Sequence, residues 1–424
     1  MAGPPARGLV SLVPGGAMAD FYQTGVVTTL HRLGHARVDQ LERDLERFTV
    51  AEPVALVLPC LIDELDRPAL GHIVEHLRRV RYLDTVVVSL GRATPEGLAR
   101  ARDLFGRSRQ RVRIIWLDGP RVINVLDRLR DAGLLPTVAG KGFACWIAYG
   151  LILAEARCNV LAVHDCDITT YDRELLARLC YPVVHPSLGF EFAKGYYARV
   201  TDRMNGRVTR LFMTPLLRSL LAVAGRQPLL VYLDSFRYAL AGEFAMKADL
   251  ARVNRIPSDW GLEVGMLAET YRNCALKRIC QAEICGNYDH KHQAVSAEDK
   301  TKGLSRMCTD IAQNVIRTLA GEGVVFTEGV FQTLLVQYIR MAQDTITRYH
   351  ADAAFNGLGF DRHEEESMVA VFSEALRTAY QRFLEDPLGA PLIPNWNRIA
   401  AAIPDFLDHL RAAVDEDCLE HAAS

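Results

Sequence analysis

The sequence lacks most of the features that assign a protein at a glance. No apolar run approaches the roughly 20 residues that a bilayer-spanning helix requires, so no membrane partner is expected. No charge of one sign dominates: 49 basic residues stand against 51 acidic ones, a formal charge of −2. That balance argues against nucleic acid or an acidic membrane surface as a partner. The ten cysteines follow no disulfide framework, and a reduced, cytoplasmic protein is expected. Cys274, Cys280 and Cys285 are too irregularly spaced for a zinc knuckle. There is no internal repeat and no low-complexity tract. Residues 1–17 are rich in Gly and Pro but have no apolar segment of the signal-peptide kind. They are expected to be disordered or an over-extended start, with Met18 as the alternative beginning.

What is present is a globular composition. Half of the 424 residues are apolar and 24% are charged, enough for one large domain or two. Apolar runs alternate with helical periodicity four times before residue 170. Strands are expected at Val54–Leu58, Thr85–Leu90, Val112–Trp116 and Val160–Val163, with helices at Pro68–Arg79, Pro95–Gly106, 120–133 and Phe143–Ala156. This pattern predicts a parallel sheet in an α/β fold, with ligands beyond the carboxyl ends of the strands. Val183-Val184 and Gly189–Tyr196 read as further strands, and 280–293 as a strand and a loop. From about residue 297 the chain reads as helices. The expected organisation is an N-terminal extension to residue 50, a catalytic domain over 51–296 and a helical region over 297–424.

The chemistry concentrates at Asp165-Cys166-Asp167, which closes the fourth strand. Two carboxylates at the end of a buried strand are costly unless compensated. A divalent cation is the usual compensation, since hard cations take oxygen ligands and keep positions open for phosphates. The same letters suit an ordinary polar strand end or a helix N-cap. Asp165-Cys166-Asp167-Ile168-Thr169 also matches the first motif of haloacid-dehalogenase-like phosphatases, where Asp165 would be the nucleophile. Such domains usually open with this motif, however, and no paired aspartates follow downstream.

Other groups fall near the same sheet edge. Gly140-Lys141-Gly142 could set an ammonium over a diphosphate or simply begin a helix; it is not a Walker loop. Arg199, Arg203, Arg207 and Arg210, with Thr201 and Thr209, form either an anion-binding loop or a solvated basic surface. Glu263 lies between two glycines in an apolar context, as a buried carboxylate or a partner for a local arginine. His290 is a candidate ligand beside carboxylates or a structural histidine.

In order along the chain, these motifs resemble the retaining glycosyltransferases of the GT-A fold that include glucosyl-3-phosphoglycerate and mannosyl-3-phosphoglycerate synthases. Val57-Leu58-Pro59-Cys60-Leu61-Ile62-Asp63-Glu64 resembles the family's Leu-Pro-Ala-Leu-Asn-Glu-Glu start. Gly140-Lys141-Gly142 is similar to its Gly-Lys-Gly, and Asp165-Cys166-Asp167 to its Asp-Ser-Asp. Gly206-Arg207-Val208-Thr209 matches its Gly-Arg-Val-Thr, and Gly261-Leu262-Glu263-Val264-Gly265 resembles its Gly-Val-Glu-Ile-Gly. His290 falls where the family has its metal-binding His. Departures are Ile62 for Asn, Asp63 for Glu, Ser89-Leu90-Gly91 after the second strand, and Trp260 where Tyr is common.

The resemblance implies a GT-A nucleotide-sugar-binding sheet with a helical C-terminal extension. It implies transfer of glucose from a nucleoside diphosphate glucose to the 2-hydroxyl of 3-phosphoglycerate with retention, or of mannose from a mannose donor. Asp167 and His290 would hold Mg²⁺ or Mn²⁺. Pro59, Leu61, Asp63, Glu64, Ser89, Lys141, Asp165 and Cys166 would face the donor. Gly206, Arg207, Thr209 and Trp260 would face the acceptor. Asp165 and Glu263 would be the catalytic carboxylates. The helical tail would pack on the core or build a homodimer, which is the expected state.

Overall fold

The computed structural model describes residues 23, 25–33, 37–135, 140–290 and 303–420. The expectations for residues 1–17 lie outside them. Eight strands form one sheet, ordered β1-β8-β6-β7-β5-β2-β3-β4. Their ranges are β1 Thr28–Leu30, β2 Val54–Leu61, β3 Leu83–Gly91, β4 Arg111–Trp116, β5 Val160–Val163, β6 Phe192–Tyr196, β7 Phe244–Lys247 and β8 Ile279–Glu283. The first half is the expected β/α alternation. β2, β3, β4 and β5 are parallel, with Val57 opposite both Val87 and Val163 and one register shift against β3 between Val54 and Ala55. These strands are covered on both faces, so they read as unbroken apolar runs.

The second half departs from a purely parallel sheet. β7 lies antiparallel between β5 and β6, with Ala162 opposite Ala245 and Ala193 opposite Ala245. Phe244-Ala245-Met246-Lys247 has no β-branched residue and ends in a charge, so it does not read as a strand. β1 belongs to the sheet rather than to an N-terminal extension: it pairs with β8, and Gln281 donates from its side chain to Thr29 Oγ1 at 2.9 Å. Val183-Val184 is not a strand but the end of the helix Arg173–Val184. Asp172 caps that helix by accepting from the Glu174 amide, and the cap together with core packing outweighs the β preference of the valines.

The C-terminal helices interlock with the sheet domain. Trp396 stacks on Trp146 of the helix Lys141–Glu155 at 4.1 Å, and Trp146 Nε1 donates to the Pro394 carbonyl. Asp417, 1% exposed, accepts from the amides of Arg121 and Val122. It thereby caps the helix Pro120–Asp131, whose own N-cap is Gly119, and satisfies amides that a helix start leaves without partners. Pro404 lies between the helices Trp396–Ala402 and Phe406–Glu420. Among the described residues no helix is long and apolar enough to cross a membrane.

Candidate active site

A cavity of about 1020 Å³ opens at the carboxyl ends of β2, β3 and β5. Pro59, Leu61, Glu64, Ser89, Lys141, Asp165, Cys166, Asp167, Gly206, Arg207, Thr209, Trp260, Glu263 and His290 all line it. Sequence positions more than two hundred residues apart therefore meet in one cleft. Asp63 does not line it. The chain leaves β2 through the short 3-10 helix Ile62–Asp66, which turns Asp63 to solvent and buries Glu64 instead. Ser89 forms part of the wall, but its hydroxyl donates to the Ala144 carbonyl at 2.8 Å and ties the helix Lys141–Glu155 to the sheet.

Lys141 is the electrostatic centre. Its Nζ lies 2.6 Å from Asp165 Oδ1 and 2.9 Å from Glu263 Oε1. Burial by itself would raise the Asp165 carboxyl; the Lys141 ammonium outweighs it and holds Asp165 below the ordinary carboxylate range. Burial would likewise lower the Lys141 ammonium, but Asp165 and then Glu263 push it well up. Lys141 can sit there because its glycine neighbours allow close approach. A Cβ on Gly142 would fall 1.9 Å from the Pro257 carbonyl oxygen. The glycines are thus needed for contact with the 257–259 backbone, which leads into the helix Leu262–Asn273 carrying Glu263.

Gly242 supports the pair from beneath. A Cβ there would come within 2.5 Å of Asp165 Oδ2 and 2.9 Å of Lys141 Nζ. Its neighbours are fixed by buried polar contacts. Lys194, fully buried, donates to the Ala241 carbonyl at 2.6 Å. Glu243 accepts from both Tyr197 and Tyr288 at 2.7 Å. Burial lowers the Lys194 ammonium to about 8. Burial, and then Asp165, raises the Glu243 carboxyl. Lys194 and the tyrosines were not singled out from the sequence, and neither was the role of Glu243. Their only signal there was polar residues set inside apolar runs.

Asp167 faces His290. The segments 168–170 and 289–290 are laced together by the Thr169 amide to the Asp289 carbonyl and by the Asp289 amide to Thr170 Oγ1, both 2.9 Å. This places His290 Nδ1 3.8 Å from Asp167 Oδ2. Two donors each about 2.0–2.2 Å from one cation can stand that far apart. Burial first, and then Asp165, raises the Asp167 carboxyl to about 7, the signature of a carboxylate short of positive charge. Among the described residues no group of three or more His, Cys, Asp or Glu side chains could hold a metal. The pair therefore suits a hard cation that completes its shell with substrate oxygens and water, as Mg²⁺ does. Cys166 is buried beside these carboxylates, and its thiol, hydrogen-bonded to Cys60, is pushed well up and stays neutral.

The basic loop forms the opposite wall. Gly206 takes a left-handed φ of +76° and lies against Tyr238 and Arg199. Arg199, its side chain one-tenth exposed, lines the cavity 4.0 Å from Asp289. Arg92, the residue after β3, holds a left-handed φ of +58° at the cavity rim.

Comparison with known proteins fits this cleft. No protein-family model matches the chain. A protein named glucosyl-3-phosphoglycerate synthase from Persephonella marina is 47% identical over 400 residues, 94% of this chain and 99% of that protein. A second of the same name, from Methanococcoides burtonii, is 40% identical over 407 residues, 95% and 99% of the two chains. Among solved structures, mannosyl-3-phosphoglycerate synthase from Rubrobacter xylanophilus superposes with a TM-score of 0.53 at 21% identity, over 71% of this chain and 83% of that one. Glucosyl-3-phosphoglycerate synthase from Mycobacterium tuberculosis, in complex with Mg²⁺ and uridine diphosphate, gives 0.50 at 22% identity over 72% and 89%. The structural likenesses establish a glycosyltransferase fold of the GT-A type. The sequence relatives go further: the chain belongs to the glucosyl-3-phosphoglycerate synthase family.

Proposed function

We propose that the protein transfers glucose from a nucleoside diphosphate glucose to the 2-hydroxyl of 3-phosphoglycerate, with retention at the anomeric carbon. Family membership over nearly the whole chain supports this reading. The observation that carries it to the residues is the placement of Lys141 between Asp165 and Glu263, beside the facing pair Asp167 and His290. A phosphatase using Asp165 as nucleophile is not the reading that a member of this family supports.

Asp167 and His290 are the proposed holders of Mg²⁺ or Mn²⁺. When bound, the cation supplies positive charge to the diphosphate leaving group. Lys141 adds a fixed ammonium on the same side. Asp165, ionised by Lys141, accepts hydrogen bonds from the donor. Glu263, fixed by Lys141 through one oxygen, orients a sugar or acceptor hydroxyl with the other. Pro59, Leu61, Glu64 and Ser89 shape the nucleotide end. Gly206, Arg207, Thr209 and Trp260 form the acceptor end, where arginine matches phosphate and carboxylate geometry.

Retaining hydrolases place a carboxylate nucleophile at the anomeric carbon. Here both carboxylates nearest the centre are engaged by Lys141. Same-face delivery of the acceptor hydroxyl, without a covalent intermediate, is the expectation that the family resemblance carries. The test is a panel of glucose and mannose donors with 3-phosphoglycerate and Mg²⁺, followed by product mass. A glucosylated product is expected; a mannosylated one alone would transfer the reading to the sister reaction.

A further inference from the structure

The acceptor wall is not built by the sheet domain alone. Arg210 donates to the Glu365 carboxylate at 2.8 Å and to the carbonyls of Met204 and Asn205 at 3.0 Å, and stacks on Tyr349. It thereby links the loop just before Gly206 to the helix Arg362–Glu385. Arg207 Nε donates to the other Glu365 oxygen at 2.8 Å, and its Nη2 lies 2.7 Å from Glu364. The Gly359 amide donates to the Asp202 carbonyl and closes the same seam.

The two adjacent glutamates differ in kind. Glu365 is 3% exposed and sits between two guanidinium groups. The side chain of Glu364 is 44% exposed and borders a second cavity of about 470 Å³ shared with Arg203 and Arg207. An exposed ion pair of this kind is weak and readily exchanged. A phosphate monoester brings more charge and three acceptor oxygens to the same guanidinium.

We propose that the start of the helix Arg362–Glu385 completes the acceptor site: Glu365 is a positioning residue that fixes Arg207 and Arg210, and Glu364 occupies Arg207 Nη2 until an acceptor's anionic group displaces it. This rests on the acceptor role of Arg207 proposed above. It gives the C-terminal helical region a task in catalysis. It also predicts opposite effects from neighbouring residues, which a purely structural role would not produce.

The test compares Glu364→Gln, Glu365→Gln and the conservative Glu365→Asp. Acceptor and donor KM are measured for each, together with calorimetric binding of 3-phosphoglycerate in the absence of donor. Glu364→Gln is expected to lower the acceptor KM and Kd by roughly two- to fivefold, the scale of an exposed pair. Glu365→Gln is expected to raise both by about tenfold or more, as loss of a partner to a buried charge does, with a smaller change in donor KM. Glu365→Asp should recover part of the loss. If Glu365→Gln does not fold, Glu364→Gln and Glu365→Asp still decide the matter. Unchanged or weakened acceptor binding in Glu364→Gln would overturn the placeholder role, and equal losses for donor and acceptor in the Glu365 variants would overturn the positioning role. Wild-type enzyme that binds 3-phosphoglycerate without turning it over would instead count against the proposed reaction, while the binding comparison would still test this inference.

Discussion

Lys141 Nζ meets Glu263 Oε1 at 2.9 Å across 122 positions of sequence. Each residue lies in the first turn of its helix, and the two helix starts are held together by the glycine contacts with residues 257–259. Removing the ammonium leaves Asp165 and Glu263 facing each other without compensation. Lys141→Met is expected to lower kcat by about 10²- to 10³-fold, the scale of losing one preorganised charge donor. It should also cost about 1–3 kcal/mol of stability, the scale for leaving a partly buried partner unpaired. Steady-state kinetics and denaturant unfolding check both.

Gly242→Ala places a methyl group within 2.5 Å of Asp165 Oδ2. The ends of the Asp165 and Lys141 side chains must shift to admit it. A displacement of that size at a catalytic centre costs on the order of 10²-fold in kcat, while overpacking costs about 1–3 kcal/mol. A variant with wild-type kcat would show that the contact between Lys141 and Asp165 tolerates displacement.

How much of this was legible in the sequence depends on which residues carry the signal. The β/α alternation up to Asp165 could be read because four strands buried on both faces leave unbroken apolar runs. The motifs that line the cleft could be read as a series, since a strand end, a Gly-Lys-Gly and a Gly-Arg-Val-Thr loop each keep recognisable letters. Asp63 was misplaced because the 3-10 turn after β2 sends successive side chains in different directions: of the two neighbouring carboxylates expected at the donor, Glu64 lines the cleft and Asp63 does not. β1 was missed because three residues hold too little pattern, and β7 because Phe244-Ala245-Met246-Lys247 has no β-branched residue. Lys194, Glu365 and Asp417 were invisible as functional or structural anchors. Each acts through a partner far away in sequence, and no local pattern encodes that pairing.

Asp167 makes the cation dependence sensitive to pH. Its carboxyl is raised to about 7 by burial and Asp165. A proton and a cation compete for it, so affinity for Mn²⁺ is expected to weaken as pH falls below about 7. Without cation the raised value favours the protonated form in the folded state, so stability declines as pH rises from the ordinary carboxylate range through about 7. Added Mn²⁺ should restore it above that point. Thermal unfolding at acid and alkaline pH, with and without Mn²⁺, checks both signs; Asp167→Asn should remove the response to Mn²⁺ and flatten the pH dependence in part, since Asp310 and Glu243 are also raised by burial.

Asp417 caps the helix Pro120–Asp131 from the far end of the chain. Asp417→Ala is expected to cost about 1–2 kcal/mol, the usual loss for an N-cap, and Asp417→Asn distinctly less. Asn keeps only one of the two oxygens that accept from Arg121 and Val122, so equal losses for the two would mean that a single accepting oxygen does not cap the helix.

The most direct measurement is product analysis with glucose donors. The enzyme is incubated with Mg²⁺, 3-phosphoglycerate and uridine or guanosine diphosphate glucose, and the product is examined by mass and by the anomeric coupling of the new linkage. One hexose is expected on the 2-hydroxyl of 3-phosphoglycerate, with the donor's α configuration retained, and that product is expected to be lost in Lys141→Met and Asp167→Asn. No product from any glucose donor, or a product of inverted configuration, would contradict this expectation.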